Sequence, residues 1–109
     1  MGFNQTTLIQ GSSMQLSYGL QPAIDLSVGW TCNVEVIPKA LGLTGTPSVT
    51  KTITALSANN KYFLGKLTPA ESASLAPGDY WVVGQLENTT LQLEGEDHQV
   101  VTVTDQGIA

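Results

Sequence analysis

The sequence predicts an all-β fold, a sandwich of about seven strands with one short helix near residues 69–76. Three observations predict it. Short segments alternate apolar and polar side chains, the period-two pattern of strands that bury one face. They recur every 8–15 residues with Gly, Pro, Asn or Asp between them, the spacing expected of a sandwich or barrel. No stretch of helical periodicity reaches a dozen residues.

The elements follow in order. After Gly11, the run 13–18 places Met14, Leu16 and Tyr18 on one face and Ser13, Gln15 and Ser17 on the other. In 30–37, Trp30, Cys32, Val34 and Val36 oppose Thr31, Asn33 and Glu35. Pro38 ends that strand because it cannot donate to a ladder. Val49, Lys51 and Ile53 alternate with threonines, which suits an edge or half-exposed strand. The runs 62–67, 80–86, 91–93 and 99–103 complete the set. Thr68-Pro69-Ala70-Glu71 is a capping box with proline at the first helical position. One or two helical turns follow before Pro77-Gly78 stops them, and Leu75, the only large apolar residue there, is expected to pack on the core. Such a helix carries the chain from one sheet to the other.

The segment 40–47, ALGLTGTP, reads as an apolar loop, and 94–97, EGED, as a solvated acidic turn. A chain of 109 residues is close to the commonest domain size, so residues 1–109 form one domain, with short tails at about 1–7 and 105–109.

Composition excludes several functions. Charged residues make up 12%, about half the usual share, so Thr, Ser, Asn, Gln and Gly must cover the surface. The cations are Lys39, Lys51, Lys61 and Lys66, with no arginine, against nine carboxylates and a net charge of −5. Phosphate neutralisation needs Lys and Arg, so neither nucleic acid nor an anionic membrane is expected as a partner. Cys32 is the single cysteine, which rules out an internal disulfide. There is neither a basic-then-apolar leader nor an apolar run of 18 residues, which reads as a soluble, unprocessed chain. Asn4-Gln5-Thr6 and Asn88-Thr89-Thr90 match the glycosylation pattern, and without a leader they read as chance matches.

Chemistry is sparse. His98 stands beside Asp97 and near Glu94 and Glu96, but the carboxylates do not follow a calcium-loop spacing. Cys32 alternates into the core, with no His or Arg beside it in sequence to activate a thiolate. No serine lies in a G-x-S-x-G elbow, and Gly42-Leu43-Thr44-Gly45 lacks the lysine of a phosphate loop. No catalytic residue, cofactor or metal ligand is expected. The side chains of Tyr80 and Trp81 must point to opposite faces. With Tyr80 inside, Trp81 is an outward aromatic of the kind enriched at interfaces. Together with Leu41 and Leu43 in the apolar loop, Trp81 marks the expected protein-interaction surface.

The order of features from Ile9 to Thr104 resembles the N-terminal domain family of phage baseplate upper proteins. The residues that carry it are Ile9-Gln10-Gly11-Ser12 with Met14, Leu16 and Tyr18; Ile24-Asp25-Leu26-Ser27; and Gly29-Trp30 with Cys32, Val34 and Val36. Leu67-Thr68-Pro69-Ala70-Glu71 follows, then Leu75, Pro77-Gly78-Asp79-Tyr80-Trp81-Val82-Val83, and finally Val100-Val101-Thr102-Val103-Thr104. The resemblance implies an immunoglobulin-like β-sandwich, without enzymatic activity, serving in many copies as a virion structural part. Its partners would be other virion proteins: the major capsid protein, or tail and baseplate proteins. Members of that family often continue into a larger tail-tip or receptor-binding region, whereas this chain stops at Ala109. The expectation is therefore a capsid decoration or cement protein, or a small tail or head-tail connector. The alternative is a carbohydrate-binding sandwich of a phage tail or baseplate, with Trp30, Trp81 or Tyr62 as stacking platforms.

Overall fold

A computed structural model describes residues 6–105, and the expected tails lie mostly outside them. Among the described residues there are seven strands and one α-helix: β1 (Thr7–Ile9), β2 (Met14–Tyr18), β3 (Thr31–Pro38), β4 (Val49–Ile53), β5 (Phe63–Leu67), α1 (Pro69–Ala73), β6 (Gly78–Asn88) and β7 (Leu93–Thr104). They form a five-stranded sheet in the order β1-β7-β6-β3-β4 and a two-stranded sheet of β2 and β5. The pairings are antiparallel, except that β1 runs parallel to β7.

One core lies between the sheets. Met14, Leu16, Tyr18, Phe63 and Leu67 from the small sheet meet Cys32, Val34, Val36, Val82, Leu86 and Val101 from the large one. The alternation that sorts these side chains in the sequence is the alternation that buries them. Leu26, in the long β2–β3 connection, joins the same core and is fixed by its N–H donating to the Asn60 carbonyl.

Three boundaries differ from expectation. Residue Thr7 belongs to β1 rather than to a tail, because its short strand docks on Thr102–Thr104. Residues 91–93 are not a separate strand. The turn between β6 and β7 passes through Gln92, whose φ of 54° is left-handed, and β7 starts only at Leu93. The acidic segment Glu94–Asp97 is strand, not turn: it continues β7 and pairs with Gly84–Glu87. Seven strands are found as expected, although one differs: β1 takes the place of 91–93.

The helix forms as its capping box dictates. The Thr68 hydroxyl accepts the Glu71 N–H at 3.2 Å, and the Glu71 carboxylate accepts the Thr68 N–H at 2.8 Å. It ends at Ala73, shorter than the expected 69–76, and Leu75 drops into the core just beyond it. The buried Ser72 hydroxyl donates to the Ser12 carbonyl and accepts the Gly11 N–H, tying α1 to the β1–β2 turn. As expected, α1 carries the chain from β5 in one sheet to β6 in the other.

At the entrance of β6, the buried Tyr80 hydroxyl donates to the Ala76 carbonyl at 2.7 Å, pinning the turn between α1 and the strand. Tyr80→Phe removes this bond and leaves the ring in place. It is expected to cost about 1 kcal/mol of unfolding free energy, read by urea denaturation with an unchanged m-value.

Lys51 closes the side of the sandwich where β4 faces β5. Its ammonium donates to the Lys66 carbonyl and, at 2.9 Å, to the Glu71 carboxylate. Partial burial pushes the Glu71 carboxyl up, but the Thr68 N–H and Lys51 outweigh it and hold the carboxyl below the usual glutamate range. A carboxyl depressed in the folded state stabilises the fold above its unfolded value, about 4.3. That contribution is lost as pH falls through the lower folded value. Thermal unfolding between pH 6 and about pH 3 is therefore expected to show a smaller fall in Tm for Glu71→Gln than for the unsubstituted chain.

Candidate interaction surface

The face of the large sheet turned away from the core carries the expected site. Register fixes its rows: Trp81 stands between Ile37 on β3 and Val100 on β7, and Val83 between Glu35 and His98. Trp81 is half-buried rather than fully exposed. The His98 ring meets it edge-on at 5.3 Å between centroids, and the Lys39 ammonium lies 6.0 Å from its centroid. The second contact is at the outer limit of a cation–π interaction.

Ile37 and Val83 are buried although they lie outside the main core. The 3₁₀ turn Lys39–Leu41 packs against β6 at this end. Leu41 and Leu43 remain exposed in that loop, at 55% and 38%. The structure thus gathers Trp81 with Lys39, whose short turn also carries Leu41, around a small outer apolar cluster. Simple alternation hid Ile37 and Val83 because it assigns them to the polar face. The adjacent apolar pairs Val36-Ile37 and Val82-Val83 were the available signal.

The other candidate chemistry is dispersed. Alternation along β7 puts Glu94, Glu96 and His98 on one face and Asp97 on the other. Among the described residues, no three His, Cys, Asp or Glu side chains gather as metal ligands. Cys32 is fully buried, and burial pushes its thiol up to about 11, away from thiolate chemistry at neutral pH. The buried Asn88 amide donates to the Val28 carbonyl at 3.3 Å, and its carbonyl oxygen accepts the Leu91 N–H. An asparagine so enclosed offers no nitrogen for glycosylation; Asn4 lies outside the described residues.

The two tryptophans do not share a platform. Trp30 packs against the core, whereas Trp81 lies on the opposite face of the sheet. Trp30 precedes the first residue of β3 and Trp81 pairs near its last, a separation of roughly 23 Å along the strand.

A second surface, which the sequence reading missed, lies at the Trp30 end. The β2–β3 connection and the β6–β7 turn enclose an open groove of about 500 Å³ lined by Ile24, Val28, Trp30, Asn88 and Leu91, with Asp25 among them. Val28 and Leu91 are 80% and 59% exposed, so its apolar walls stand in solvent. Their signal was weak: isolated aliphatics in loops are common and carry no periodicity.

No protein-family model matches the chain, and no curated protein matches it either. No helix among the described residues is long and apolar enough to cross a membrane.

Proposed function

We infer that this protein is a non-enzymatic structural component of a phage particle, a capsid decoration protein or a small tail or head-tail connector, acting through protein–protein contacts. The observation that carries the reading is the half-buried Trp81 on the outer face of the large sheet, with Lys39 near its ring and Leu41 and Leu43 exposed in the loop that begins at Lys39. A tryptophan on an outer sheet face, with exposed aliphatics in the adjoining loop, fits the enrichment of aromatics at interface centres.

The strand arrangement supports an immunoglobulin-like sandwich. In that reading β2 and β5 take the places of strands B and E, and β4, β3, β6 and β7 those of C′, C, F and G. The Tyr80 bond to Ala76 then falls at the start of strand F, where such sandwiches carry a tyrosine corner.

Quantitative mass spectrometry of purified particles tests the function. The protein is expected in many copies, and Trp81→Ala or the pair Leu41→Asp and Leu43→Asp are expected to lose incorporation while the isolated domain stays folded. Particles that lack the protein, or that incorporate these variants at the unsubstituted level, would overturn the reading.

A further inference from the structure

The two exposed apolar surfaces lie at opposite ends of the large sheet. The groove of Ile24, Val28, Trp30 and Leu91 adjoins the start of β3; the loop bearing Lys39, Leu41 and Leu43 follows its end. An eight-residue strand places these ends about 26 Å apart, so they cannot meet within one molecule.

Their chemistries are complementary. The groove is apolar, and its only charged lining residue is the carboxylate Asp25. Ser27 donates to that carboxylate from both its hydroxyl, at 2.5 Å, and its N–H, at 2.8 Å. These bonds lower the carboxyl below its ordinary value, and Lys61 adds a smaller through-space effect, so it stays ionised at neutral pH. Asn88 braces both groove walls, holding Val28 through its carbonyl and Leu91 through its N–H. The far end offers the converse: two exposed leucines on the short loop that begins at Lys39, whose ammonium lies 6.0 Å from the Trp81 ring centroid. Of the other three lysines, Lys51 is engaged by Glu71, and Lys61 and Lys66 belong to β5 or the segment just before it rather than to that loop.

We propose that the groove receives the Lys39–Leu43 loop of a second copy of this chain, with Leu41 and Leu43 against Val28, Trp30 and Leu91 and Lys39 facing Asp25. This rests on the reading of the Leu41–Leu43 surface as an interface, and it names the partner. The contact joins unlike surfaces, so it repeats head to tail, and copies add in a row or close into a ring.

Sedimentation velocity over a concentration series tests it on three forms of the protein. The unsubstituted chain is expected to pass beyond a dimer as concentration rises. A groove-blocked variant (Val28→Asp, Leu91→Asp) and a loop-blocked variant (Leu41→Asp, Leu43→Asp) are each expected to stay monomeric. All four positions are exposed, and circular dichroism confirms that the fold is kept. Mixed together, the two variants retain one intact groove and one intact loop between them, and are expected to form a one-to-one dimer and nothing larger. Asp25→Lys alone should weaken association about tenfold, and adding Lys39→Asp to the same chain should recover it.

An unsubstituted chain that stays monomeric up to about 1 mM, or a blocked variant that still dimerises with itself, would overturn the proposal. If the chain is monomeric yet the loop-blocked variant fails to enter particles, the interface reading stands and only the self-partner falls. If that variant enters particles as the unsubstituted chain does, the interface reading falls with it.

Discussion

Replacing Gly84 with valine is expected to cost about 3 kcal/mol or more, enough to unfold a marginally stable domain of this size at moderate temperature. Gly84 lies in the middle of β6, buried against the ring of Tyr18. A Cβ there would stand 2.3 Å from Tyr18 Cε1 and 2.5 Å from its Cδ1 and Cζ. Tyr18 is itself 3% exposed and belongs to the core, so its ring has no free space to enter. Gly84 is not among the glycines with positive φ, so the cost is steric rather than conformational. Unfolding of Gly84→Val and of the double variant Gly84→Val, Tyr18→Ala measures it. Relief of most of the added loss in the double variant is the signature of this contact; strictly additive losses would refute it.

Leu75→Ala is expected to cost about 2–5 kcal/mol, the range for a buried leucine truncated in a close-packed core. Leu75 is 2% exposed, and its backbone is held from two directions. Its N–H donates to the Ser72 carbonyl, and its carbonyl accepts the Gln10 side-chain amide at 2.6 Å. The segment cannot slide to refill the void, so the loss should lie in the upper half of that range. Guanidinium unfolding of Leu75→Ala against Leu75→Met separates lost volume from lost position. The methionine variant is expected to lose less than about 1.5 kcal/mol.

The sequence carried the inner faces of the sheets well. Met14, Leu16 and Tyr18, and likewise Cys32, Val34 and Val36, announce themselves by strict alternation, and burial follows it. The helix was equally plain, because a capping box is a local signal that tertiary contacts had no reason to override. Glu94–Asp97 was not recoverable in the same way. Gly95 sits where a Cβ would strike Leu20, so a glycine that reads as a turn residue marks close packing inside a strand. The strand there is held by its partner β6 rather than by its own preference. Of the surface, Trp81 was indicated by parity with Tyr80, whereas the groove at Trp30 depends on two loops distant in sequence. No local pattern encodes that meeting, and only the placement of Asn88 joins them.

The reach of Lys51 across to Lys66 has a consequence for behaviour at high concentration. Strand β5 pairs with β2 on one side only, and the other side would leave a row of peptide groups open to any passing chain. The Leu64 N–H is instead taken by the Ala55 carbonyl, and the Lys66 carbonyl by the Lys51 ammonium. A single cation, itself neutralised by Glu71, thus works as a seal against indiscriminate zippering between neighbours. Because charged residues make up only 12% of the chain, few side chains are available to interrupt an open edge, and each local stopper carries more of that task.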